Sequence, residues 1–238
     1  MCANRPIRHI RRTACLLTLA PRQGFSVRAM TTVNRGVGVL LLTSLTAMIA
    51  GAAVAVPSGL TLNPSDLGAT LGAVHDRVAL HLVELALDVL GWLALTAAGL
   101  LVTGRPAGGL LAAAGLAGLL HDAGNLAVTQ LTGEPAAALA VLLLAKWTVN
   151  LAGLLWVAAT AFARPGWGGL AACVSGAAAV VLPWTSGLAG PGPAVEQLGY
   201  ALHLPIMIWW GGYGVKALAG RSDVGDGGRH DVLTGPLG

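Results

Sequence analysis

Apolar residues run along this chain for twenty positions and more at a time, and the interruptions fall at Gly and Pro. Six such runs stand out: Val37 to Val56, Val78 to Thr103, Gly108 to Gln130, Pro135 to Ala163, Gly168 to Leu188 and Ala194 to Leu218. An α-helix rises about 1.5 Å per residue, so about 20 residues cover the ~30 Å hydrocarbon core of a bilayer. Each run therefore predicts a membrane-spanning helix. The intervening stretches are turn-formers: Pro57 to Gly68, Gly104-Arg105-Pro106, Gly133-Glu134-Pro135, Arg164-Pro165-Gly166 and Gly190-Pro191-Gly192-Pro193. The runs are rich in Ala and Leu and lack the period-two alternation of a lipid-facing barrel strand. The expected fold is all-α, a polytopic transmembrane bundle of six spans. Its many Ala and Gly residues let helix backbones approach closely, which is how helices pack within lipid.

Composition agrees with the pattern. Hydrophobic residues make up 55% of the chain, charged residues 10%, and the mean hydropathy is +0.73, values outside the range of an ordinary soluble domain. The formal net charge of +4 describes topology. With the N-terminus inside, Arg5, Arg8, Arg11, Arg12, Arg22, Arg28, Arg35, Arg105, Arg164, Lys216, Arg221 and Arg229 share one side. Arg77 alone lies on the other, and Lys146 falls within a span. The positive-inside rule then places both termini in the cytoplasm, and the bias survives when everything before Met30 is discarded. No aromatic-interleaved basic patch accompanies these residues, so no nucleic-acid partner is expected.

Three regions follow. Residues 1–36 form a basic segment, either disordered or an over-extended start ahead of Met30. Residues 37–219 form the six-helix domain, and residues 220–238, rich in Gly and Asp, form a disordered cytoplasmic tail. Cys2 and Cys15 lie in the first region and Cys173 in the fifth span, a distribution that builds neither a disulfide nor a zinc framework.

The polar residues inside the spans carry the candidate chemistry. Arg77, His81, Glu84 and Asp88 follow i, i+4, i+7, i+11 spacing and share one stripe of the second predicted helix. His121 and Asn125, Lys146 and Asn150, and Glu196, Tyr200 and His203 repeat that geometry on helices three, four and six, with Asp122 beside His121. A charge in hydrocarbon costs at least ~2.5 to 3.5 kcal/mol on insertion scales, so such groups face a protein-lined or watery interior. With both termini inside, the polar residues of all four helices fall between the outer half and the middle, Lys146 and Asn150 near the middle of helix four, and the inner halves are almost free of ionisable side chains. A cavity opening outward is the expectation, with Pro183 and Pro205 freeing backbone carbonyls near it.

His81, Glu84, Asp88, His121, Asp122, Lys146 and His203 are the candidate ligand- or proton-binding residues. Mixed acids and bases suit a proton relay or a small-solute site. Local readings compete for several of them: Arg77 with His75 and Asp76 as an interfacial cluster, Glu196 as an acid favoured at a helix N-terminus, Lys146 as the structural partner of Asp88 or Asp122. The seven Trp residues read as interface anchors or bundle packing.

Three function classes stay open: a binding or transport protein, a structural or accessory membrane protein, and an intramembrane metal-dependent hydrolase or lipid-modifying enzyme using His81, His121 and His203. No HExxH, GxSxG or Gly-rich phosphate loop supports the last, so the reading leans away from an enzyme and names no catalytic residue, metal or cofactor. The lipid bilayer of the cell membrane is the expected partner. Six helices are few for a secondary carrier, which leaves room for a homo-oligomer. The Asn34-Arg35-Gly36 opening of the first span, Arg77 before the second and the closing Glu196 to Gly214 stretch with Trp209-Trp210-Gly211 resemble uncharacterised bacterial six-helix membrane families. That resemblance covers roughly residues 30 to 219 and implies no activity.

Overall fold

The computed structural model describes residues 26–102, 106–131, 133–163 and 166–220, and these are helical with no strand. The helices are α1 (Ser26–Ser58), α2 (Leu67–Asp76), α3 (Val78–Leu101), α4 (Pro106–Gln130), α5 (Pro135–Phe162), α6 (Trp167–Val181) and α7 (Pro193–Leu218). Short 3₁₀ segments occupy Pro64–Asp66 and Leu182–Ala189. Five stretches are long and apolar enough to cross a membrane: Val33–Ser58, Val78–Leu101, Pro106–Gln130, Pro135–Phe162 and Trp167–Gly187. The chain is thus built as a multi-pass membrane protein. At 26 residues α7 is as long as these, but Gly, Trp and Tyr, with Glu196, His203 and Lys216, dilute its apolar character. By length and composition α7 is not among the five.

Two boundaries depart from expectation. Helix α1 begins at Ser26, inside the segment read as a basic stretch that is disordered or an over-extended start; residues 1–25 and the tail after Gly220 lie outside the described residues. Helix α2 was not foreseen. Asn63 and Thr70 exchange hydrogen bonds, Thr70 Oγ1 donating to Asn63 O at 2.9 Å and Asn63 N to Thr70 Oγ1 at 3.0 Å. Asp66 caps the helix by accepting from Ala69 N at 3.1 Å. The Asn63-Pro64-Ser65-Asp66 stretch, read as turn punctuation, is a helix start.

The six long helices form a closed ring in the order α1, α3, α4, α5, α6, α7 and back to α1, each antiparallel to its neighbours. Glycines set the close approaches. A Cβ at Gly99 would overlap the backbone of α4 at Ala112, and one at Gly118 would overlap the indole of Trp92. At the end of the ring holding the start of α1 and the end of α7, the centre is filled by Leu41, Leu95, Leu111, Ala114, Trp156, Ile206 and Trp210, all buried. Trp210 Nε1 donates to Thr160 Oγ1 at 2.9 Å. At the other end α2 lies against α4, with Leu62, Val74, Val128 and Leu142 forming a small separate core.

Candidate functional site

The centre of the ring is hollow at the α2 end. Helix α6 stops at Val181 because Pro183 follows, which has no N–H to continue the ladder. The chain proceeds as 3₁₀ turns through Leu182–Ala189, broken by Gly187 at φ +63° and ended by Gly190 at φ +76°. Asn150 anchors this irregular segment to α5: its Nδ2 donates to Val180 O at 2.7 Å, and its Oδ1 accepts from Trp184 Nε1 at 3.1 Å. Across the ring α5 and α7 scarcely touch. The result is a cavity of about 660 Å³, within the ~300 to 1,000 Å³ range of small-molecule sites.

Five of the seven sequence-predicted residues line it: Glu84 and Asp88 from α3, His121 from α4, Lys146 from α5 and His203 from α7. Trp92 and Trp156, packed edge to face with centroids 5.8 Å apart, belong to both the core and the cavity wall and form its floor. His81 and Asp122 do not reach the cavity lining. Each is only 1% exposed, His81 lying behind Glu84 and Asp122 beside His121, with His81 Nδ1 3.2 Å from Glu84 Oε2 and His121 Nε2 4.0 Å from Asp122 Oδ1.

The hydrogen bonds sort these side chains into occupied and unoccupied groups. His121 Nδ1 sits 2.9 Å from Ala145 O and its Nε2 3.0 Å from Asn125 Nδ2. Only the tautomer with the proton on Nδ1 satisfies both contacts, donating to the carbonyl and accepting from the amide. His121 is thereby a tie between α4 and α5, and its role as a ligand group, expected from sequence, loses both of its nitrogens to that tie. Lys146 pairs with Glu196 at 2.5 Å, the side chains 12% and 6% exposed. This corrects the expected pairing of Lys146 with Asp88 or Asp122, and Glu196, read as a helix-end acid, is its partner. The shared face of Glu196, Tyr200 and His203 was the signal that placed Glu196 toward the interior.

His203 donates from Nδ1 to Gly199 O at 3.2 Å, and its Nε2 lies against Gly153, where a Cβ would come within 2.5 Å of it. Asp88 lies against Gly51 of α1, its Oδ1 2.9 Å from where a Cβ would stand. Two α-carbons without side chains thus make room for the two polar groups. Asp88 has no ion-pair partner among the described residues, and both oxygens of Asp122 and Oε2 of Glu84 lack a hydrogen-bond donor. Glu84, Asp88 and Asp122 lie within electrostatic range of one another.

The chain matches no family model, no curated protein sequence and no solved structure. Among the described residues no three His, Cys, Asp or Glu side chains gather closely enough to hold a metal ion; His81, His121 and His203 belong to separate parts of the ring. Arg77 and its neighbours His75 and Asp76 are exposed at the junction of α2 and α3, where Arg77 Nη1 donates to Ser58 O at 2.5 Å and ties that junction to the end of α1.

Proposed function

We propose that this protein binds or transports a small solute, ion or protons through the cavity, with α7 as a sixth span, both termini in the cytoplasm and the α2 end of the ring facing outward across the cell membrane. The observation that carries the reading is the hollow half of the ring, into which three helices project Glu84, Asp88, Lys146 and His203. Helix α7 supports its own place as a span, because it closes the ring between α6 and α1: Gly38 meets α7 at Gly214 and Leu218, and Gly211 meets Leu45. Lysine and arginine positions support the orientation.

A structural or accessory role is the second reading, favoured by the inter-helix ties that His121, Asn150 and Lys146 make. The intramembrane hydrolase reading has no matching cluster of metal ligands among the described residues.

The test uses a background with Cys2, Cys15 and Cys173 replaced by Ser or Ala and a single Ala52→Cys on the cavity wall. In right-side-out vesicles a membrane-impermeant maleimide added outside is expected to label this position and to leave Leu95→Cys, in the filled half, unlabelled. Labelling of Ala52→Cys only from the cytoplasmic face, or from neither face, overturns the outward pocket.

A further inference from the structure

We infer that the ligand of this cavity is an amphipathic organic cation: an amine, ammonium or comparable cationic centre carried on an aromatic or branched apolar body. The inference rests on the pocket reading above and names its substrate class.

The charges facing the cavity do not balance within the chain. Lys146 is the cavity's lysine, and Glu196 holds it at 2.5 Å. His121 has both nitrogens in hydrogen bonds that require its uncharged form. His203 spends one nitrogen on Gly199 O. Against these stand Glu84 and Asp88 on the wall and Asp122 directly behind it. Glu84 is 9% exposed and its Oε2 has no aligned donor. His81 Nδ1 lies 3.2 Å from it, and both ring nitrogens of His81 are themselves without hydrogen-bond partners. Asp88 is thus the wall carboxylate with no basic group paired to it among the described residues. Asp122 is 1% exposed with both oxygens bare of donors. Buried acceptors without donors are costly; a cationic ligand can offer N–H groups to the wall carboxylates Asp88 and Glu84, and acts on Asp122 behind the wall through its charge alone. An anion would find the unpartnered Trp156 Nε1 and His203 Nε2, but it would also face Glu84 and Asp88, with Lys146 already paired to Glu196; a neutral solute leaves the excess where it was.

The rest of the wall selects for an organic body. Trp92, Trp147 and Trp156 face the cavity together with Met48, Leu204 and Met207. Aromatic faces attract organic cations through the ring quadrupole, by ~0.5 to 2 kcal/mol according to desolvation. Thioether side chains adapt to irregular apolar shapes. A bare metal ion finds no set of three acidic, Cys or His side chains close enough to hold it among the described residues. The volume of about 660 Å³ is far larger than such an ion requires.

Tetraphenylphosphonium and tetraphenylborate provide the test, because they share one shape and carry opposite charges. On the Ala52→Cys protein in vesicles, tetraphenylphosphonium is expected to slow maleimide labelling at least tenfold at saturation, and tetraphenylborate to leave the rate unchanged. Asp88→Asn is expected to raise the phosphonium concentration needed for protection at least tenfold, with Asp88→Glu restoring it; Glu84→Gln is the companion variant if Asp88→Asn fails to assemble. Equal protection by both ions, protection by tetraphenylborate alone, or protection indifferent to Asp88→Asn and Glu84→Gln overturns the cationic assignment while the pocket stands. Labelling that neither ion slows leaves an open pocket holding protons or small ions, and likewise overturns it. A thiol that is never labelled overturns the pocket itself.

Discussion

Helix α3 passes through two interiors. From Trp92 to Leu101 it runs in the filled half of the ring, where Leu95 and Ala98 are wholly buried and Gly99 lets α4 approach to backbone contact. From His81 to Asp88 it runs beside the hollow half, and its inward stripe is acid and imidazole instead of Leu and Ala. The difference does not originate in α3. It comes from across the ring, where Pro183 ends α6 early and the chain finishes the crossing as 3₁₀ turns, leaving α5 and α7 apart. Missing helix surface on one side becomes polar space on the other, and only there are ionisable side chains sheltered from lipid.

Substitutions separate the two halves most sharply where a backbone contact is at stake. Gly99→Val is expected to abolish the folded α3–α4 pair, because its side chain would occupy the α4 backbone at Ala112; loss of the monodisperse peak in detergent gel filtration checks this. In the hollow half the largest effect belongs to Lys146→Ala, which leaves Glu196 buried and unpaired and is expected to cost about 3 kcal/mol. The double variant Lys146→Met with Glu196→Leu is expected to recover most of that in thermal unfolding, since neither charge is then left alone. A double variant as unstable as Lys146→Ala would show that the pair is not what holds α5 to α7.

Smaller effects sharpen the contrast. Ala114→Leu, at a site with no exposure, overpacks the filled half and is expected to cost about 1 to 3 kcal/mol. Ala52→Leu adds the same atoms on the cavity wall and is expected to change stability by less than about 0.5 kcal/mol, because it enters empty space. Asp88→Asn is expected to be the mildest, within about 0.5 kcal/mol on unfolding, while changing what the cavity binds. Leu111→Ala tests the core in the opposite sense. Its cost is expected near 2 kcal/mol, below that of a soluble core, because the unfolded-in-membrane reference already lies in hydrocarbon and only the packing loss remains.

The runs of Ala and Leu made the long helices legible, since hydrocarbon forces every backbone group into a helix and composition alone reports it. The polar stripes were legible too, because charge inside such runs has few places to go. What sequence spacing did not supply was direction within the ring. His121 and Asp122 are adjacent, yet His121 reaches the wall and Asp122 is packed beside it. His81 and Glu84 share a stripe, yet only Glu84 lines the cavity. Glu196 near the start of α7 read as a local helix-end effect, and its pairing depends on Lys146 of α5, fifty residues away in sequence and invisible to any local pattern. Gly51 and Gly153, which make room for Asp88 and His203, look in the sequence like any of the 34 glycines. The ring order supplies the missing term in each case.

Site-directed spin labelling in lipid bilayers tests the central claim most directly, because it reads water and lipid access at a single residue. The positions are Ala52→Cys on the cavity wall and Val89→Cys, which follows Asp88 but faces outward at 40% exposure. The account predicts that a water-soluble nickel relaxation agent reaches the label at residue 52 and that dissolved oxygen dominates at residue 89. Equal, oxygen-dominated relaxation at both positions would contradict it, because the ring would then have no hollow half open to water.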